Sequence, residues 1–139
     1  MRQLNTVLSV RTQGRRIYDI TPQVLEWTGT SGIFTGLLTL YIQHTSASLL
    51  INENYDRDVL VDLETFFAKL VPDGAPMFIH TIEGPDDMPA HVRTALTQVH
   101  LSIPVVNGHP VLGTWQGIFL YEHRHDPAHR KIVLHLMGE

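Results

Sequence analysis

The sequence predicts one α+β domain, built mostly from antiparallel strands with two to three helices. Strand-like apolar runs open and close the chain, while apolar residues in the middle recur at helical spacing. Asn107-Gly108 joins two apolar runs with the two-residue signature of a hairpin, which makes its flanking strands antiparallel. No linker or low-complexity tract divides the 139 residues, so a single domain spans 1–139. A chain of this size buries roughly 70% of its unfolded surface. Its 43% apolar and 17% charged composition fits a packed core rather than disorder.

Leu4 to Arg11 reads as the first strand, with Leu4, Val7, Leu8 and Val10 as its apolar positions. Gln13-Gly14 turns the chain into a second strand, Arg16 to Ile20. Thr21-Pro22 predicts a helix start: a hydroxyl cap, then a proline in the first turn, where its missing N–H costs nothing. Val24, Leu25 and Trp27 give that helix an apolar side, and the glycines from Gly29 to Gly32 end it. Strands follow at Ile33 to Ile42 and, after the corner His44-Thr45-Ser46-Ala47, at Ser48 to Asn52. Asn54 or Asp56 caps a helix running to about Leu70. Val59, Leu60, Leu63, Phe66, Phe67 and Leu70 form its buried face, and Pro72-Asp73-Gly74 stops it.

A short apolar run, Met77-Phe78-Ile79, leads to His80. Asp87 then caps a helix with Pro89 in its first turn and Val92, Ala95, Leu96 and Val99 on its inner face. The rest is β: Leu101 to Val106, the Asn107-Gly108 turn, and His109 to Leu112. After Gly113-Thr114-Trp115-Gln116-Gly117 come Ile118 to His123 and, past the His125-Asp126-Pro127 turn, Lys131 to Met137.

Composition excludes several function classes. The net charge is −4, from 10 basic and 14 acidic residues without a basic block, so nucleic acid is not an expected partner. Arg15-Arg16 and Arg130-Lys131 still carry enough charge to hold one phosphate group. With no cysteine, there are no disulfides, no thiolate metal sites and no cysteine nucleophile; a transition metal must sit on imidazole and carboxylate. No apolar run approaches the ~20 residues needed to span a bilayer, so no membrane partner is expected. The first residues carry no long apolar stretch, hence no signal peptide, and a soluble cytoplasmic protein is the expected setting.

The chemistry concentrates between positions 80 and 91, where His80 and His91 bracket Glu83, Asp86 and Asp87. His44 ends another apolar run in a similar local setting. Three imidazoles, His44, His80 and His91, leave metal positions open for water or substrate, the pattern of catalytic rather than structural sites. Glu53, Glu83, Asp86 and Asp87 are positioned to orient the rings or to act as general base. Helix capping alone accounts for one of the two aspartates. His91 falls in the first turn of its helix, where the backbone dipole disfavours protonation. Of the nine histidines, His109, His123, His125 and His129 lie near polar turns and are expected to be solvated; His100 and His135 fall within strands.

Ser46 and Ser48 lie close to His44, but no Gly-x-Ser-x-Gly elbow surrounds them. Phosphate-loop and dinucleotide-binding glycine motifs are absent too. The Gly113 to Gly117 segment suits substrate contact, with Trp115 as a flat ring and Gln116 as a two-way amide; a β-bulge holding a core tryptophan explains it equally well. The candidates for substrate binding are therefore Ser46, Thr114, Trp115, Gln116 and Arg130.

Four of these stretches together resemble the secondary thiamine-phosphate synthase, or YjbQ-like, family: His44-Thr45-Ser46-Ala47, Asn52-Glu53-Asn54, Glu83 to His91, and Leu112 to Gly117. They occur in the family's order across most of the chain, and the final strand with Arg130-Lys131 also fits. The resemblance implies a β-barrel-like sheet, assembly as a homotrimer, and a site at His44, His80 and His91 that holds a divalent metal. Zinc suits three imidazoles best, while magnesium suits the carboxylates. It also implies joining a pyrimidine methyl diphosphate to a thiazole phosphate with release of pyrophosphate, as a secondary activity. The expected function is metal-assisted chemistry on a phosphorylated small molecule. The alternatives are a metal-dependent hydrolase such as a phosphatase, and a non-catalytic trimeric metal- and ligand-binding protein.

Overall fold

Two antiparallel sheets organise the chain, which a computed structural model describes over residues 1–139. In chain order the elements are β1 (Arg2–Thr12), β2 (Arg16–Asp19), α1 (Thr21–Thr30), β3 (Gly36–Ile42), β4 (Ala47–Glu53), α2 (Arg57–Leu70), α3 (Asp87–Leu96), β5 (His100–Val106), β6 (His109–Pro110), β7 (Gln116–Glu122) and β8 (Ala128–Gly138). A five-stranded sheet runs β1-β8-β3-β5-β6 and a three-stranded sheet runs β2-β7-β4. Together they wrap one core as an open half-barrel, with three helices outside. No helix is long and apolar enough to cross a membrane.

Period-two alternation builds the larger sheet. In β5 the buried residues are Leu101, Ile103 and Val105, and in β8 they include Ile132, Leu134 and Leu136. Register brings Leu38 opposite both Ile103 and Leu136, so three strands contribute to one layer of the core. β7 behaves differently because it is the central strand of the smaller sheet. Every residue from Gly117 to Glu122 is buried, and its apolar run, Ile118-Phe119-Leu120-Tyr121, is continuous rather than alternating. The two sheets meet where Leu49 of β4 bridges Gln98, next to the point where Ile42 N–H extends the β3–β5 ladder to the Val99 carbonyl.

Several sequence expectations need correction. Thr21 does not cap α1. Ile20 takes that position, while the Thr21 hydroxyl accepts from Ile118 N–H and its own N–H donates to Asp19. Asp56, not Asn54, caps α2 by accepting from Asp58 N–H. No residue of α2 is fully buried, because the helix lies over the edge of the smaller sheet rather than between layers. Phe66 and Leu70 remain 60% and 54% exposed. Val59, Leu60, Leu63 and Phe67 are half-buried, with Phe67 edge-on to Tyr121, and a polar anchor joins them: Glu64 accepts from the buried Arg93 of α3 and from the hydroxyl of Tyr121 in β7.

The face of α3 that turns inward is Asp87, Pro89, Ala90 and Arg93, not Val92, Ala95 and Leu96. Leu96 is 58% exposed, and Val99 lies past the helix end. The apolar periodicity misled here because a buried charge, Arg93, sits where a leucine would be expected. The strand after Asn107-Gly108 also stops at Pro110 instead of Leu112: Val111 N–H still donates across to the Pro104 carbonyl, but Pro104 has no N–H to return the bond, and Leu112 N–H turns back to the Pro110 carbonyl.

Candidate metal centre

Asp87, His80 and His91 converge. One nitrogen of each imidazole and one oxygen of the carboxylate lie within 4.8 Å of one another. Asp87 and His91 share a helix face because they stand four residues apart, about one turn of α3. His80 approaches from the loop before α3, held within reach by the tight turns at Gly84 and Pro85. Asp87 Oδ2 is 2.7 Å from His80 Nε2 and 3.2 Å from His91 Nε2. Asp87 is 2% exposed, whereas the side chains of His80 and His91 are 41% and 33% exposed.

The donor set fits a divalent transition metal, and the hydrogen bonds around it test that fit. His91 Nδ1 lies 3.0 Å from the Thr45 carbonyl oxygen. A carbonyl only accepts, so Nδ1 carries a proton, and without a second proton Nε2 presents a lone pair. That lone pair faces a carboxylate oxygen, which cannot donate either. A proton or a metal cation must therefore lie between them.

Arg124 completes the arrangement. Its Nη1 donates to Asp87 Oδ1 at 2.6 Å, its Nε to Asp86 Oδ2 at 3.1 Å and its Nη2 to the Glu83 carbonyl at 3.0 Å. Oδ1 of Asp87 is thereby occupied, leaving Oδ2 free for the histidine side. Burial alone would raise the Asp87 pKa, but the His80 hydrogen bond and the charge of Arg124 outweigh it, holding the carboxyl below its ordinary value. Asp86 occupies the N-cap position of α3 without capping through its side chain. It accepts from Arg124 and from His125 N–H instead, so neither aspartate is explained by capping.

Beside this group opens a cavity of about 1060 Å³, lined among others by His44, Ser46, His91, Thr94 and Arg130. His91 belongs to both the donor group and the cavity. His44, expected as a third ligand, stands apart from the His80–Asp87–His91 group: its Nε2 accepts from Lys131 N–H at 2.8 Å. Burial, followed by the charge of Arg130, lowers its pKa and keeps the ring neutral. With Nε2 accepting, the proton sits on Nδ1, a donor available to a ligand. Arg130 is oriented by Glu122 through Nε at 2.8 Å and Nη2 at 2.6 Å, and it also donates to Ser46 Oγ at 3.1 Å.

The other expected site residues fall elsewhere. Glu83 is 62% exposed and only 4.0 Å from Arg124 at its nearest oxygen. Glu53 ends β4, six residues from Ala47 at the near end, roughly 20 Å along the strand, and accepts from Asp56 N–H. Thr114 is exposed, and Trp115 stacks against Tyr55 with ring centroids 4.8 Å apart. Trp115 is therefore not a core residue, as it remains 56% exposed. Gln116 Oε1 accepts from Gly113 N–H and its side chain faces an adjoining cavity of about 550 Å³, which shares Thr97 and Val99 with the larger one. Within one chain, the Trp115 segment does not meet the histidines.

His123 was expected in solvent and is fully buried. Its Nε2 pairs with Ser48 Oγ at 2.8 Å, its ring stacks on Tyr121, and its Nδ1 has no partner. Burial, reinforced by the charges of Arg93, Arg15 and Arg130, pushes its pKa down to about 3. Ser48 is 0% exposed, which removes it as a nucleophile. Arg124 is the residue that sequence reasoning missed. Nothing local marks it, because its partners lie about forty positions away. The Asp87–His91 spacing, by contrast, was a legible signal for paired ligands on one helix face.

The comparisons with known proteins agree with this architecture. The family model described as UPF0047 protein YjbQ-like matches residues 6–139. The UPF0047 protein sll1880 of Synechocystis is 49% identical over 138 residues, covering 99% of this chain and 94% of that protein. The UPF0047 protein YjbQ of Salmonella typhimurium is 44% identical over 133 residues, 95% of this chain and 96% of its own. Among solved structures, the hypothetical protein APE1520 from Aeropyrum pernix K1 superposes with a TM-score of 0.89 at 31% identity, over 98% of this chain and 99% of that one. Matched in sequence along nearly its whole length and in fold to such proteins, the chain belongs to the YjbQ-like UPF0047 family.

Proposed function

We propose that this protein is a metal-dependent enzyme acting on a phosphorylated small molecule. One observation carries the reading: His91 is shared between the His80–Asp87–His91 donor group and the cavity that presents Arg130, Ser46 and His44. A divalent ion held by those three donors would supply Lewis-acid chemistry to a phosphate oxygen. Two imidazoles and a carboxylate suit zinc, manganese or iron(II) better than magnesium.

The protein's own groups divide the remaining work. Arg130, fixed by Glu122, presents its guanidinium edge to the cavity and orients an anionic group. His44 donates from Nδ1 to a ligand oxygen. Asp87 is kept ionised and turned toward the histidines by Arg124.

Hydrolysis of a phosphate ester is the simplest reaction of this class. It is favoured over the thiamine-phosphate synthase reaction because Trp115 and Gln116, the groups suited to gripping a pyrimidine ring, do not line the His91 cavity within one chain. A homotrimer, as the family resemblance implies, is the assembly proposed. The exposed Val7, Leu37 and Tyr41 on the outer face of the larger sheet support it.

The deciding experiment incubates zinc- or manganese-loaded protein with simple phosphate monoesters and, separately, with the pyrimidine diphosphate and thiazole phosphate pair. Phosphate release without a second substrate supports the hydrolase. Pyrophosphate release only when both substrates are present supports the transferase. No turnover of either, with the metal bound, leaves a ligand-binding protein.

A further inference from the structure

We propose that the cleft between β2 and α2 is a second binding site, for a small organic anion with an apolar body. The cavity measures about 310 Å³ and shares no residue with the His91 cavity. That volume is at the lower end for small-molecule sites, enough for a ring or a short chain with one charged head. Arg16 and Arg57 flank it, while Ile17, Leu60 and Val61 form its apolar wall.

Two guanidiniums without a carboxylate partner meet at this cleft; of the other unpaired arginines, Arg2 is held by the Ser31 and Gly32 carbonyls and Arg11 does not line it. Arg15, Arg93, Arg124 and Arg130 each hold a carboxylate. Arg16 rests over the Tyr18 ring, 5.0 Å from its centroid, and neither it nor Arg57 has a carboxylate partner among the ion pairs of the chain. Each keeps its five N–H donors for a ligand. Glu64 also lines the cleft, but its carboxylate is committed to Arg93 and Tyr121. Nearby Asp19 and Asp56 are likewise engaged by backbone N–H groups of Thr21 and Asp58. Two unpaired guanidiniums on one cleft favour an anion, carboxylate or phosphate monoester, and the apolar side chains of Ile17, Leu60 and Val61 favour one that carries an apolar body.

The test is an amide NMR titration of metal-free protein with phenyl phosphate and with 4-phenylbutanoate, against inorganic phosphate and benzyl alcohol as controls. Shifts at positions 16–19 and 57–65, with one or both aromatic anions binding about tenfold more tightly than either control, are expected. Which of the two binds identifies the headgroup. The double variant Arg16→Gln/Arg57→Gln should melt like the parent and bind about tenfold more weakly. Shifts confined to the His91–Arg130 cavity, or undiminished binding by the double variant, would overturn the proposal. A change in sedimentation of the variant with no ligand-induced shifts at the cleft would overturn it as well, because the cleft would then be a contact between copies.

Discussion

His91 Nδ1 lies 3.0 Å from the carbonyl oxygen of Thr45, and this contact ties the helix bearing Asp87 to the corner bearing His44 and Ser46. It fixes the ring orientation and the position of the proton together. The donor group and the adjoining cavity are thus linked through backbone, which a side-chain substitution at Thr45 leaves in place.

Removing any of the three donors should remove the metal. His80→Ala, Asp87→Ala and His91→Ala are each expected to lose bound zinc in elemental analysis. His44→Ala should keep it and lose turnover instead. Zinc retained in all three donor variants would contradict the assignment.

Arg124 should act on a bound metal through Asp87, whose Oδ1 it holds. Replacing it with glutamine frees Asp87 Oδ1 and releases the loop at Glu83 and Asp86. Zinc affinity, measured by competition with a chromogenic chelator, should fall about 10- to 100-fold.

Stability should decline on mild acidification because of His123. Its folded pKa is about 3 against 6.5 for the ordinary ring. Between those values the unfolded chain binds the proton and the native one does not, so stability is full above about pH 6.5 and drains as pH falls. The slope is about 1.4 kcal/mol per pH unit for one proton. Below the ordinary aspartate value of 3.8, Asp86, Asp87 and Asp73 add losses of the same sign, since their folded pKa values are lowered. Urea melts from pH 7.5 to 4.5 should show the first phase in the parent and a flatter slope in His123→Gln.

The Arg93–Glu64 pair should behave as a unit. Glu64→Leu alone leaves the fully buried Arg93 uncompensated and is expected to cost about 3–5 kcal/mol. Glu64→Leu/Arg93→Met should recover most of that loss. Additive destabilisation in a double-mutant cycle would show that the two do not act on each other.

Gly36 is a packing requirement. A Cβ there would lie 2.2 Å from the Met137 carbonyl oxygen across the β3–β8 pair. Gly36→Ala should therefore lower the melting temperature sharply, or prevent soluble expression.

What could be read from the sequence followed local rules. Period-two alternation located β5 and β8, and Asp56 with its following helix period located α2. The rest depended on contacts distant in sequence. The inner face of α3 was misread because burial of Arg93 is made possible by Glu64, twenty-nine residues earlier. His123 reads as a loop residue by its neighbours, Arg124 to Pro127, yet it continues the buried course of β7. At the site, His80 and His91 stand out because they lie within twelve residues on one turn and helix; the expected third ligand, His44, lies apart, and Asp87, expected to orient the rings or act as base, joins the donor group instead, while Arg124 is brought to them by the β7–β8 connection.

The most direct test is anomalous diffraction at the zinc edge from a zinc-soaked crystal. One strong peak per chain is expected, coordinated by His80 Nε2, His91 Nε2 and Asp87 Oδ2, with His44 outside the coordination sphere. No peak between those three side chains under saturating zinc would contradict this coordination.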